Sequence, residues 1–439
     1  MGMPITHASK HMLPRAAPPH QVYGGRRVEL DWLRTIVVLA TIPFHAIPIF
    51  GVERTIFMLS AESNPVLRFV GGFVLTWGIP LIFLMAGAST KCALDRRSPG
   101  RYVKERFTRL AAPLLLMVFV FAPLQLYFIL LNNPDLLQNP RLIPQYGALA
   151  TFPEPDRLSD IVYFFQQYLH YLVTSVRQYS PAVGSVVLGH LWFVPRLLAV
   201  SLVCLPLALY LRGRGLRVAK YIAAYGAHPL VLLAGGGLIP AILAAILQSG
   251  WLTHTTAGWL FSDDWPSFFL DLVMFLYGYL TYSSARLRAT VQTMAIPALI
   301  LGIVCSIVVG IVIALGRAPV HNYSPASLLF VFAETLMAWL PALALLGLAI
   351  RYLDVPSHLQ RYLTDAAFPV FVLHGPLLAI STYYLLQTPL PSFVQVVLII
   401  TVTVISAFAI YEFVVRRTPV TRFLFGAKAP KAESHPPLR

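Results

Sequence analysis

About ten stretches of this sequence are apolar for nearly the thickness of a bilayer, and no other property of the chain restricts its fold so strongly. Crossing the hydrocarbon core as a helix takes roughly 18 or more apolar residues. Lipid offers no hydrogen-bond partner to the backbone, so such runs must satisfy their own N–H and C=O groups as helices. The expected spans are 33–52, 67–90, 110–132, 187–211, 228–248, 266–284, 291–315, 325–350, 366–387 and 392–415. Composition agrees: 57% of residues are hydrophobic and 12% charged, where a soluble domain carries roughly 25% charged residues. The expectation is an all-α polytopic membrane protein, with about ten transmembrane helices around a polar cavity.

Charge sets the expected orientation. The net charge of +15 would point to nucleic acid in a soluble protein. Here 26 of the 33 Lys and Arg fall in 1–34, 90–109, 212–220, 286–288, 351–361 and 416–439, the alternate connecting segments. The others are Arg54, Arg68, Arg141, Arg157, Arg177, Arg196 and Arg317. Basic loops stay cytoplasmic, so an even number of spans with both termini cytoplasmic follows, and no nucleic-acid partner is expected. Residues 1–25 lack an apolar signal core and read as a loose cytoplasmic tail, as do 426–439. The span region is 26–425. Cys92, Cys204 and Cys305 have neither metal spacing nor the pattern of a disulfide framework, and no metal is expected. Pro43, Pro80, Pro123, Pro195, Pro240, Pro341 and Pro369 fall in or near spans and predict kinks.

The one long outer segment is 133–186. Within it Ile161, Phe164, Phe165, Tyr168, Leu169, Leu172, Val173 and Val176 recur at helical spacing. A helix lying in the membrane interface fits this pattern; aromatic side chains stacking on sugar rings are the alternative.

Chemistry concentrates first between Arg26 and His45. Arg34 and His45 are eleven residues apart, three helical turns plus about 20°, so they share a face. Asp31 stands about 40° short of four turns from His45 and joins it, as does Arg27. The rise from Arg34 to His45 is about 16 Å. Intramembrane ionisable groups usually face the bundle interior and mark pathways or sites, and an imidazole suits a general base. A histidine bonded structurally to a neighbouring helix, and an arginine that only fixes orientation, are the bland alternatives. Arg106 and Arg109, at i and i+3, can present several donors to a phosphate, or simply keep their loop cytoplasmic. His190, Trp192 and Arg196 lie at the outer end of the fourth expected span. Asp271 and Glu334 lie in the outer halves of the sixth and eighth, and His374 inside the ninth. All could gather around a cavity with His45, although Asp271 or Glu334 pairing with Arg196 for structure alone fits equally. Glu412 and Arg416 read as a local i,i+4 pair.

Taken together, Leu30-Asp31-Trp32-Leu33-Arg34 followed by His45 (an R-x10-H pattern), Met85-Ala86-Gly87-Ala88-Ser89, Arg106-x-x-Arg109 before Pro113, His190-Leu191-Trp192-Phe193 and Phe368-Pro369-Val370-Phe371-Val372-Leu373-His374 resemble the acyltransferase family 3 of membrane O-acyltransferases. Pro43-Phe44-His45, Tyr411-Glu412 and Phe423-Leu424-Phe425-Gly426 are similar to its glucan biosynthesis protein C branch, which succinylates periplasmic glucans. The resemblance implies a bacterial inner-membrane enzyme. It would move an acetyl or succinyl group from cytoplasmic acyl-CoA, a substrate rather than a bound cofactor, to a hydroxyl of an extracytoplasmic saccharide. Arg34, Arg106 and Arg109 would hold the coenzyme A phosphates and His45 would be the base, with Asp31 a second catalytic residue or, instead, the group that orients Arg34. Asp271, Glu334 or His374 would orient His45 or the sugar, and Arg196 is a candidate partner for a succinyl carboxylate. A transporter or flippase for a polar metabolite or glycan would show similar intramembrane polar residues and kinks, and a structural or sensing subunit is a third possibility.

Overall fold

A computed structural model describes residues 27–50, 64–132, 160–175, 189–246, 265–319 and 323–427. Residues 1–26, most of 133–186, and 428–439 therefore lie outside the described residues, as do Arg54, Arg141, Arg157, Arg177 and Val176 from the expectations above. Among the described residues the regular structure is helical. Helix starts are written locally in the sequence. Asn64-Pro65, Ser98-Pro99, Ser324-Pro325 and Thr418-Pro419 each place a capping side chain on an exposed N–H, followed by a proline whose missing N–H costs nothing there.

The first helix, α1, is Val28–Ala46, ending in a 3-10 turn over Ile47–Phe50. Next come α2 (Pro65–Leu94) and α3 (Pro99–Leu116). A π-turn over Met117–Phe121 joins α3 to α4 (Ala122–Asn132). The basic segment expected as a connecting loop over 90–109 is mostly helix: only Asp95–Ser98 separates α2 from α3, because Ser98 caps the Arg101 N–H and starts the helix early. The segment 133–186 contributes a helix, α5 (Ile161–Ser175), where helical spacing predicted one. Phe164 and Tyr168 are buried, and the Tyr168 hydroxyl donates to the Val118 carbonyl at 3.0 Å, inside the π-turn. Tyr163 faces out.

The fourth expected span is broken, and the connection expected over 212–220 is largely helix, set at an angle to the fifth. Phe193–Val203 (α6) and Leu205–Arg212 (α7) bend by 40°, and Leu216–Gly226 (α8) meets Val231–Ile246 at 110°, the latter made of a π-turn followed by α9 (Gly236–Ile246). Then follow α10 (Trp265–Ser283), α11 (Ala285–Thr293), α12 (Ala295–Ala314), α13 (Pro325–Tyr352), α14 (His358–Leu386), α15 (Ser392–Ile410) and the short α16 (Pro419–Leu424). By length and composition seven helices among the described residues can cross a membrane, or up to nine if each bent pair counts as one span. The sixth expected span is met by α10, but its apolar part, Phe268–Ser283, is short. Along α12, Ile300, Val304, Val308 and Ile311 are exposed, a greasy outer stripe suited to lipid.

Two hydrophobic cores flank α1. Ile42 and Ala46 belong to one, with α4, α5, α14 and α15. Leu30 and Leu33 belong to the other, with α2, α6 and α9–α13. Helices α2 and α10 cross through two glycines: a Cβ on Gly87 would lie 1.8 Å from the Phe275 carbonyl oxygen, and one on Gly278 would lie 1.8 Å from that of Leu84. Small residues that let backbones touch are how helices associate where lipid is as apolar as their side chains. Helix α14 runs alongside α1 in the same direction, since Thr35 Oγ1 lies 3.4 Å from Thr364 Oγ1 and, ten residues on in both helices, His45 meets His374.

Candidate active site

The unbroken α1 keeps Arg34 and His45 on one rigid element, so the expected rise of about 16 Å between them stands. At the His45 end three imidazoles converge from three elements. His45 Nδ1 lies 3.0 Å from His374 Nε2, with the rings stacked at 5.1 Å and 15°. His374 Nδ1 lies 2.6 Å from the Phe371 carbonyl oxygen, one turn back in its own helix. His190, in a 3-10 turn before α6, brings Nε2 to 2.9 Å from the same oxygen and sets its ring edge-on to His374 at 4.5 Å. His374 and His190 are buried, while His45 keeps part of its surface open.

Local sequence explains why α14 admits these rings. Pro376 has no N–H to give to the Val372 carbonyl, and His190 hydrogen-bonds the backbone at both Phe371 and Val372. Gly375 leaves room: a Cβ there would sit 2.0 Å from His190 Nδ1. The three imidazoles do not form a metal cage. The Phe371 carbonyl can only accept, so His374 Nδ1 and His190 Nε2 both point protons, not lone pairs, at their common atom. Among the described residues no set of three His, Cys, Asp or Glu side chains is arranged to hold a metal ion.

At the other end of α1, Arg34 is held in place from two sides. Its guanidinium donates to Asp31 at 3.2 Å and to the Ser89 hydroxyl on α2 at 2.9 Å, while its side chain stays 44% exposed. Asp31 is thus a direct partner of Arg34. Arg106 donates to Thr90 Oγ1 at 3.3 Å and lies over the Tyr102 ring at 5.2 Å. Arg109 is exposed and within electrostatic range of Arg34, Arg106 and Arg97, with Glu105 the one acidic group among these neighbours. Arg34, Arg106 and Arg109 therefore form one cationic cluster. Close by, Arg27, Glu29, Arg288 and Gln292 help line a cavity of about 190 Å³. Burial, then the neighbouring Arg27, pulls the Arg288 guanidinium below its ordinary range.

Arg196, Trp192 and Asp271 form a separate group. Arg196 Nε lies 2.6 Å from Asp271 Oδ2, both are buried, and the guanidinium covers the Trp192 ring at 5.8 Å. Arg196 is thus buried and charge-paired with Asp271. Glu334 is buried on α13. Glu412 and Arg416 make the expected i,i+4 pair at 2.9 and 3.0 Å. Sequence reasoning assigned no role to Ser89, the Phe371 carbonyl or Gly375. Ser89 stood at the end of the family-like motif Met85–Ser89 without a role of its own, and the dipeptide Gly375-Pro376 was the one local sign that the helix opens beside His374.

A helical bundle with guanidiniums at one end of its first helix, and a part-open imidazole backed by buried ones at the other, has the form of a membrane-embedded enzyme. The chain belongs to the acyltransferase family 3: the family model described as an acyltransferase domain matches residues 27–412. No curated protein and no solved structure matches it.

Proposed function

We propose that this membrane acyltransferase takes its acyl group from cytoplasmic acyl-CoA and gives it to a hydroxyl of an extracytoplasmic saccharide such as a periplasmic glucan. The observation that carries this reading is the placement of the Arg34, Arg106 and Arg109 cluster and of His45 at opposite ends of α1. The coenzyme A phosphates bind the three arginines, whose planar donors suit phosphate oxygens. The pantetheine arm follows α1, bringing the thioester to His45. There the acceptor hydroxyl attacks the thioester carbonyl, a C–O bond forms and the C–S bond breaks. The hydroxyl proton passes to the His45 ring and on to the departing thiolate, so free coenzyme A leaves. Acetyl and succinyl donors both satisfy this scheme. The similarity of Phe423-Leu424-Phe425-Gly426 to the glucan branch favours succinyl.

This chemistry requires opposite access at the two ends of α1, with the Arg34 end cytoplasmic in a bacterial inner membrane. The parallel run of α1 and α14 supports the ten-span arrangement with both termini cytoplasmic. Two parallel helices must have an odd number of crossings between them. Counting both bent pairs and α10 as spans places seven crossings between α1 and α14, whereas omitting α10 alone leaves six.

The test is thiol release and glycan mass in nanodiscs supplied with acyl-CoA and glucan. Wild-type protein should release coenzyme A and add the acyl mass. His45→Ala should lose about 10²–10⁴-fold in kcat, the usual worth of general-base assistance. Full activity in His45→Ala removes the proposed base, and glycan movement without thiol release favours a transporter.

A further inference from the structure

We propose that His374 is a positioning residue that locks His45 in the tautomer carrying its proton on Nδ1, so that the basic lone pair sits on Nε2. The inference deepens the proposed acyl transfer and rests on it only for its catalytic consequence. The assignment follows from hydrogen-bond accounting. A carbonyl oxygen has no proton to give, so His374 must donate from Nδ1 to Phe371, 2.6 Å away. A neutral imidazole carries one ring proton, which leaves His374 Nε2 an acceptor. His45 Nδ1, 3.0 Å away, is then the donor. The second His45 nitrogen carries the lone pair.

The surroundings keep that assignment from relaxing. His374 is sealed, at 0% exposure, and His190 at 2%. His190 donates from Nε2 to the same Phe371 oxygen at 2.9 Å and stacks edge-on against His374. A flip of His374 would put Nδ1–H out of reach of its carbonyl and leave a buried donor without a partner, a cost that buried polar groups rarely bear. Gly375 completes the device, because any Cβ at that position would meet His190 Nδ1 at 2.0 Å. Phe371, His190 and Gly375 thus hold His374, and His374, together with the Thr41 carbonyl one turn back on α1, holds His45, the part-open member of the three.

Two variants of similar size separate positioning from packing. In His374→Asn the amide reaches only as far as Nδ1, so it can still meet Phe371 but not His45. In His374→Gln the amide oxygen reaches the former position of Nε2 and can accept from His45. Nitrogen-15 NMR of histidine-labelled protein in nanodiscs reads the tautomer directly, with the His45 signal assigned by its loss in His45→Gln. Wild-type His45 should be protonated at Nδ1 and bare at Nε2. His374→Asn should lose that signature and His374→Gln should regain it, both with thermal unfolding midpoints showing that they remain folded. In the acyl-transfer assay, kcat should fall on the order of 10²-fold or more in His374→Asn, recover in part in His374→Gln, and leave the KM for acyl-CoA within about twofold. Wild-type His45 protonated at Nε2, or a folded His374→Asn with the wild-type tautomer, overturns the proposal. The predicted tautomers in a wild-type protein that releases no coenzyme A would uphold it and overturn the acyl-transfer reading instead.

Discussion

The crossing of α2 and α10 allows one chemical change to be tested with opposite signs at two places. Adding a methyl group at Gly87 puts a Cβ 1.8 Å from the Phe275 carbonyl oxygen and 2.9 Å from the Tyr279 nitrogen. Real Cβ atoms essentially never approach closer than 3.0 Å, so the helices must separate by at least about 1.2 Å, the difference between 3.0 and 1.8 Å. Both obstructing atoms are backbone, so no rotamer change relieves the clash. Overpacking of this kind costs about 1–3 kcal/mol. At Gly100, in the first turn of α3, nothing lies within 4 Å of the new Cβ. There the substitution only removes glycine's excess backbone freedom, and stabilises by up to about 1 kcal/mol. Unfolding midpoints of Gly87→Ala and Gly100→Ala in the same detergent should therefore move in opposite directions. Because Ser89, the partner of Arg34, lies two residues beyond Gly87, the first variant should also weaken coenzyme A binding, and the second should not. Equal stability of the two variants would mean that α2 and α10 do not touch through their backbones.

Three further outcomes follow from individual contacts. Asp271→Ala strips the buried Arg196 of its carboxylate and should cost about 3–5 kcal/mol in unfolding assays, most of it regained in the double variant Arg196→Met with Asp271→Leu. Ser89→Ala removes one of the two groups that orient Arg34, and should raise the KM for acyl-CoA by about three- to tenfold with little change in kcat, measured by thiol release. Glu412→Gln breaks a solvent-facing i,i+4 pair with Arg416 and should change stability by less than about 0.5 kcal/mol.

Apolar length located the long helices, because lipid enforces the rule that an apolar run closes its own hydrogen bonds, but it missed α8 and α11, which fill segments read as connections. Their ends were legible where a cap was sought: Ser98-Pro99 starts α3 eleven residues before its apolar run begins, and Ser357 starts α14 eight residues early. Charge concealed those starts, since Arg101, Lys104 and Arg106 look like loop residues until the cap is read. The shared face of Arg34 and His45 was legible because helical periodicity is local. The partners of His45 were not. His190 and His374 stand 145 and 329 residues away, and only the packing of α14 beside α1 brings them in. Likewise, nothing local distinguishes Asp271 from Glu334 as the partner of Arg196.

The nature of the group behind His45 fits its depth in the bundle. Soluble enzymes commonly orient a basic imidazole with a carboxylate, which also steadies the cation formed when the ring takes a proton. At bilayer depth a second ionised group is expensive unless it is paired and hydrogen-bonded. A buried carboxylate among the described residues, Asp271, is matched by the guanidinium of Arg196. His374 supplies what orientation requires, a fixed lone pair facing Nδ1, without bringing a charge. Its own orientation comes from a main-chain carbonyl that is likewise uncharged. The resulting line from Phe371 through His374 to His45 keeps the resting site neutral, so a net charge arises at this end of α1 only while a proton is in transit.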